Sequence, residues 1–213
     1  MRKTTTPGVL TTRDREISAW LGRLPGASVE QIRRRYGLGR SQAYRRLQVL
    51  ASFGMVRRLH ILAGRPPLYT ANGRSLGPAS YEHAVALAEL IVARELENAA
   101  VATDRELRQE RGGRRALGRR FGPDDRQVIA SCRRIPDAVE LLCGGGLLAY
   151  EIELSSKGRT RREAVLSAYA TSCYRRVRWV VPNAGLARLI GEEIERMGLD
   201  GFVEVERGLE VGG

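Results

Sequence analysis

Residues 28–54 run SVEQIRRRYGLGRSQAYRRLQVLASFG, two short amphipathic segments on either side of a glycine pair. Ser28 followed three residues later by Gln31 has capping-box spacing, so a helix is expected to open there with Ile32 and Tyr36 turned inward. Gly37 and Gly39 supply the tight turn that ends it. Ser41 can cap the next helix, in which Ala43, Leu47, Leu50 and Ala51 recur at helical spacing while Gln42, Tyr44, Arg45 and Gln48 face outward. Gly54 stops it. Upstream, Thr11 or Thr12 can cap a helix over residues 11–24, with Ile17, Trp20, Leu21 and Leu24 on one side. Downstream, two β-prone stretches at 56–62 and 68–71 flank Ala-Gly-Arg-Pro-Pro, the pattern of a hairpin with a basic tip.

Charge gives this segment a chemical meaning. The chain has 213 residues and a net charge of +12; residues 1–75 hold 15 Arg and Lys against 3 Asp and Glu, and residues 76–213 hold 21 of each. The excess therefore lies in the first third, as a phosphate-binding module requires, because Arg and Lys near a DNA backbone release condensed counterions. With 43% hydrophobic residues the chain can bury a core, which excludes a disordered basic arm. Cys132, Cys143 and Cys173 are odd in number and widely spaced, with only His60 and His83 beside them, so neither a disulfide framework nor a zinc site is expected, and the cysteines read as buried thiols. No apolar run is long enough to span a membrane, and the basic start MRKTTTPG is not followed by a signal-peptide core. A cytoplasmic protein with no membrane partner is the expectation.

Helix, helix, glycine turn, helix, hairpin resembles the winged helix-turn-helix family over residues 11–73. The resemblance implies double-stranded DNA as partner. It places Arg40, Ser41, Gln42, Tyr44, Arg45 and Arg46 at the start of the reading helix and Arg65 on the wing, where it meets the minor groove or its phosphates. The competing reading is a protein-protein adaptor of the same shape, against which the basic surplus weighs.

Gly73, Gly77 and Pro78 mark a boundary, and Ser80 can cap a long helix whose apolar residues Val85, Leu87, Leu90, Ile91, Val92 and Leu96 nearly encircle it. Such a helix must be covered on more than one side, by the rest of the chain or by a second copy in a homodimer. The domains expected are 1–75 for the DNA-binding module, 76–100 for the connector helix and 101–213 for the remainder. That remainder reads as a polar helix at 103–111, a β-prone stretch at 127–132, strands at 137–143 and 147–154, a helix at 161–174, a strand at 177–181, a helix at 186–197 and a strand at 202–205. The fold class is thus α/β (α+β) with a mixed sheet.

Glu151 and Glu153 lie two residues apart on one strand face, and Asp137 on the adjoining strand can reach the same point. Carboxylates so gathered repel unless a cation or protons compensate, and magnesium or manganese held by Asp137, Glu151 and Glu153 would be the natural partner. Asp137 and Glu151, with 13 residues between them, resemble the PD-(D/E)XK nuclease superfamily, whose restriction-endonuclease-like fold has this element order. The family's lysine two positions after the Glu is Glu153 here; Lys157 reaches the site only if the chain bends at Ser155 or Ser156. The bland alternative is a strand with a wet face on which Lys157 pairs with Glu153.

The strings RELRQE, IPDAV, YEIELSSKGRTRREAVLSAY and VRWVVP are similar to winged-helix proteins of bacterial mobile elements, including the replication-relaxation type. That resemblance implies a role in plasmid or integrative-element replication, transfer or regulation. It makes Glu106 a helix-borne acid and lines the strand-helix junction with Lys157, Arg162 and Tyr169. Its catalytic set would be Asp137, Glu151, Glu153, Lys157 and Glu106. Two functions stay open: a magnesium- or manganese-dependent DNA endonuclease or nickase directed by the winged module, or a non-enzymatic regulator or replication accessory that uses an inactive nuclease fold for docking or dimerisation and needs no cofactor. An RNA-binding or ribosome-linked module is a third class.

Overall fold

The computed structural model describes residues 9–208, so the start read for a leader lies outside them. Among those residues the chain is mixed α/β, with eight α-helices and two sheets, and it divides into two units, Met1–Ala88 and Glu89–Gly213.

The first unit begins with α1 (Thr12–Arg23), opened by a capping box in which Thr11 and Asp14 satisfy each other's backbone N–H groups. A two-residue strand β1 (Ala27–Ser28) leads into α2 (Val29–Tyr36), where the expected Ser28–Gln31 box is present. Gly37 takes the left-handed conformation, φ 60°, and ends the helix; α3 (Arg40–Ser52) follows after two more residues. Its N-cap is Gly39, so Ser41 sits inside the first turn instead of capping it. Ala43, Leu47 and Leu50 point into the core as expected, but Ala51 is exposed. Strands β2 (Val56–Leu59) and β3 (Leu68–Ala71) form the hairpin, and β1 adds to β3 to give the antiparallel order β1-β3-β2. Neither β1 nor its pairing is visible in the sequence, because two residues carry no periodicity.

Helix α4 (Tyr81–Leu96) follows a single 3₁₀ turn at Pro78–Ser80, and the boundary between the units falls within it rather than at its ends. Tyr81 and Ala84 pack on Leu68, and the Tyr81 hydroxyl donates to Pro66 O at 2.8 Å, anchoring the hairpin loop. Ala86, Leu87, Ala88, Leu90, Ile91 and Val92 are all buried in a single chain; Leu96 is exposed. The apolar circumference therefore gives no argument for a homodimer.

The second unit is a five-stranded sheet of order β4-β5-β6-β7-β8, comprising β4 (Val101–Thr103), β5 (Ala138–Leu141), β6 (Leu147–Ile152), β7 (Arg176–Val181) and β8 (Val203–Arg207). β4, β5 and β6 pair antiparallel; β6, β7 and β8 pair parallel. Parallel neighbours require crossovers, which α7 (Arg159–Ala170) and α8 (Ala184–Arg196) provide. Between β4 and β5 lie α5 (Asp104–Arg111) and α6 (Pro123–Ser131). The β-prone run at 127–132 is thus helical: Pro123 stands in the first turn and Asp125 accepts the Gly122 N–H at 3.0 Å, start signals that outweigh the run's strand propensity. One face of the sheet, with Val139, Ala149 and Trp179, packs with Leu107, Ile129, Leu166 and Ile190 from α5, α6, α7 and α8. No helix among the described residues is long and apolar enough to cross a membrane.

The cysteine expectation is overturned. Cys132 and Cys173 form a disulfide, their Cα atoms 5.6 Å apart, and Cys143 is free and exposed rather than buried. Forty-one residues separate the bonded pair, and the end of α6 and the end of α7 meet only in the folded chain.

Candidate functional site

In the first unit, the start of α3 lies beside the start of α1. An open groove of about 440 Å³ is lined by Thr11, Thr12, Arg13, Gln42, Arg45 and Arg46. Arg40, Ser41, Gln42, Arg45 and Gln48 are exposed, and Tyr44 is half-buried. Arg46 is not equivalent to its neighbour. Its Nε donates to Asp14 Oδ1 at 2.7 Å, it also bonds Asp14 Oδ2, and it donates to Val9 O at 3.2 Å. Asp14 is fully buried, and a buried carboxylate demands such a partner. Arg65, at the hairpin loop, meets Glu82 at 2.9 Å; both ends are partly exposed, an ion pair that water or another anion exchanges readily. Arg57 and Arg58 on β2 are exposed cations that the sequence reading did not single out.

In the second unit, Asp137 stands at the head of β5. The register Ala138↔Tyr150, one step further, sets it opposite Glu151, as the strand spacing predicted. Asp137 N donates to Tyr150 O, and Asp137 Oδ2 accepts the Ile152 N–H at 2.8 Å. Of the bland alternative, the wet face fails, since every position of β6 is buried and Glu153, just past its end, is only 4% exposed, whereas its Lys157–Glu153 pair is present. Glu151 Oε1 instead accepts Arg134 Nη2 at 2.8 Å, Arg134 Nε at 3.1 Å and the Tyr169 hydroxyl. Burial pushes the Glu151 carboxyl up and the Asp137 charge adds to it, while Arg134 and Tyr169 pull it down. The Arg134 guanidinium also stacks 5.6 Å from the Tyr169 ring.

Lys157 reaches the site because the chain leaves the strand at Ile152 and bends at Ser155; its Nζ donates to Glu153 Oε2 at 2.7 Å. The second Glu153 oxygen and Trp179 Nε1 are buried without a hydrogen-bond partner among the described residues. Both residues line a pocket of about 80 Å³ together with Arg134, Glu151, Lys157 and Arg162. Arg162 is locked by Glu193 through paired bonds at 2.8 and 2.5 Å and also reaches Lys157 O.

Glu106 does not join this cluster. It caps α5 by accepting the Thr103 N–H at 3.0 Å and pairs with Arg120. The acid of α5 that approaches is Asp104, two residues earlier, whose N–H donates to Asp137 O at 2.9 Å. Burial pushes the Asp104 carboxyl up and the nearby Asp137 charge adds to it. Sequence reading missed Asp104, Arg134 and Trp179. A helix's first residue faces a strand only once the helix is docked, and Arg134 lies in an irregular segment without any period.

These residues do not fit a divalent cation as arranged. Asp137, Glu151 and Glu153 share a face, but among the described residues no three metal-ligating side chains converge on one point. An arginine holds Glu151 and a lysine holds Glu153, so the compensation expected from magnesium or manganese comes from the protein's own cations. No family model matches the chain, and no curated protein or solved structure matches it.

Proposed function

We propose that this chain is a double-stranded DNA-binding protein. Its first unit acts as a winged helix-turn-helix module, with α3 in the major groove and the β2–β3 hairpin as the wing. The observation that carries the reading is the helical face bearing Arg40, Gln42, Arg45 and Gln48, exposed in a segment that holds the whole net positive charge of the chain. Gln and Arg at the start of a helix offer paired donors to adenine and guanine edges, and the surrounding arginines hold phosphates. Arg46 is excluded from that role by Asp14, which leaves Arg45 as the principal reading cation of α3. We read the second unit as nuclease-like, a reading supported by its mixed sheet and by Asp137 standing opposite Glu151. Arg134 on Glu151 and Lys157 on Glu153 favour its use as a non-cleaving docking platform. The setting that suits both units is replication, transfer or regulation of a bacterial mobile element.

One incubation tests both parts: supercoiled plasmid carrying bound sites, full-length protein and magnesium, read for retardation and for nicking. The plasmid is expected to be retarded and left intact, and Arg45→Ala is expected to weaken specific binding by about tenfold, the worth of one good base contact. Equal affinity for RNA and DNA duplexes would sink the DNA reading. Nicking that disappears in Glu151→Ala would replace the docking role with an enzymatic one.

A further inference from the structure

Arg134 belongs to the irregular stretch between α6 and β5, where no ladder holds the backbone. Three ties fasten that stretch to the end of α7. The Cys132–Cys173 disulfide lies two residues before Arg134, the Tyr174 hydroxyl donates to Arg134 O at 2.8 Å, and the Tyr169 ring lies against the guanidinium. Only the first is covalent. Cys132 is buried but Cys173 is exposed, so an external thiol can reach one sulfur of the bond. Disulfides in reducing compartments are typically transient and regulatory rather than structural.

We propose that the disulfide is a redox latch that keeps Arg134 plugged onto Glu151, and that a dithiol reductant opens it. The inference rests on the reading of the second unit as a nuclease-like docking platform with Asp137 and Glu151 at its acidic centre. In the opening step a thiolate of the reductant attacks Cys173 Sγ, the Cys132–Cys173 bond breaks and Cys132 leaves as a thiolate that takes a proton. The reductant's second thiol then resolves the mixed disulfide. Two electrons and two protons pass from the dithiol to the protein, and the reductant ends as its own disulfide. The segment is then held by weak contacts alone. When Arg134 swings away, Glu151 is left beside Asp137 without its guanidinium, and a buried carboxylate so placed must take up a proton or another cation. The latch thus decides whether the acidic centre is closed by the chain itself or open to an external partner.

Trypsin reads this directly, because cleavage after Arg134 requires its side chain to leave Glu151 and enter the protease. Full-length protein, oxidised or reduced with dithiothreitol, is digested briefly and the rate of each cut is followed by mass spectrometry. Cleavage after Arg134 is expected to accelerate at least about tenfold on reduction, in proportion to the open population, and to be equally fast in Cys132→Ser without reductant. Cuts after Arg126 in α6 and Arg178 in β7, both partly buried, report on the fold of the unit and are expected to stay unchanged. An unchanged rate at Arg134, an equal acceleration at all three sites, or free thiols at both Cys132 and Cys173 in the oxidised protein would overturn the latch. None of these outcomes depends on DNA, so failure of the latch and failure of the DNA-binding reading are seen separately.

Discussion

Asp14 is charged and fully buried, and it serves two functions at once. It accepts the Thr11 N–H at 2.7 Å and the Thr11 hydroxyl at 2.8 Å, closing the start of α1, and it receives Arg46 from α3. Asp14→Ala is therefore expected to destabilise the first unit by about 3 kcal/mol, since it removes a cap and strands a partly buried guanidinium. Urea unfolding measures this, and a loss below about 1 kcal/mol would show that water replaces the pair readily. The contrast with Arg45 matters for function. Two adjacent arginines are indistinguishable as letters, but about 100° of helical rotation turns one toward α1 and leaves the other exposed.

At the scale of elements, the α2–α3 turn sets where the start of α3 stands. Gly37 has φ 60°, and a methyl group added to it would meet nothing within 4 Å, so Gly37→Ala carries only the backbone cost of the left-handed region, roughly 1–2 kcal/mol. Gly39 has φ −66° as the N-cap of α3, and Gly39→Ala is expected to cost less, roughly 0.5 kcal/mol. Thermal unfolding of both variants checks the order; equal losses would mean that the turn's conformation is not what fixes the two helices. Elements announced by caps and periodicity, such as α1, α2, α3, α7 and α8, are legible in the sequence. Helix α6 is not, because its start signal at Gly122–Asp125 competes with the β-prone run behind it.

For the whole molecule, each unit has its own buried apolar residues, and electrostatics divides them further. The first carries the positive surplus, whereas the second is balanced and spends its charges on internal pairs. Glu140 is the clearest of these, bonded by Arg94 at 2.8 Å through both nitrogens and by the Tyr150 hydroxyl at 2.6 Å. Burial pushes its carboxyl up, but the hydrogen bonds of Arg94 and Tyr150 outweigh burial and hold it below the ordinary glutamate value. The unfolded chain therefore binds this proton more readily than the folded one. The stabilisation is present above the ordinary glutamate range, near pH ~4.3, and is lost as pH falls through the depressed folded value. Glu140→Gln is expected to cost the second unit about 3 kcal/mol at neutral pH and to flatten the acid side of its stability profile. Calorimetry from roughly pH 3 to neutrality measures both, and an unchanged acid slope would assign the proton uptake elsewhere.

What the sequence determined by itself is local and compositional: helix caps, the glycine turn, the amphipathic faces of α2 and α3, the surplus of arginine in the first 75 residues, and the strand parity that places Asp137 opposite Glu151. Each depends on residues a few positions apart, or on counts alone. Tertiary structure decided which charges are spent and which remain. Arg46 goes to Asp14, Glu106 to Arg120, Arg134 to Glu151, and Cys132 to Cys173, across separations of 32, 14, 17 and 41 residues. Such pairings are set by how helices dock on one another or on a sheet and by the need of every buried charge for a partner, and no period in the chain encodes them.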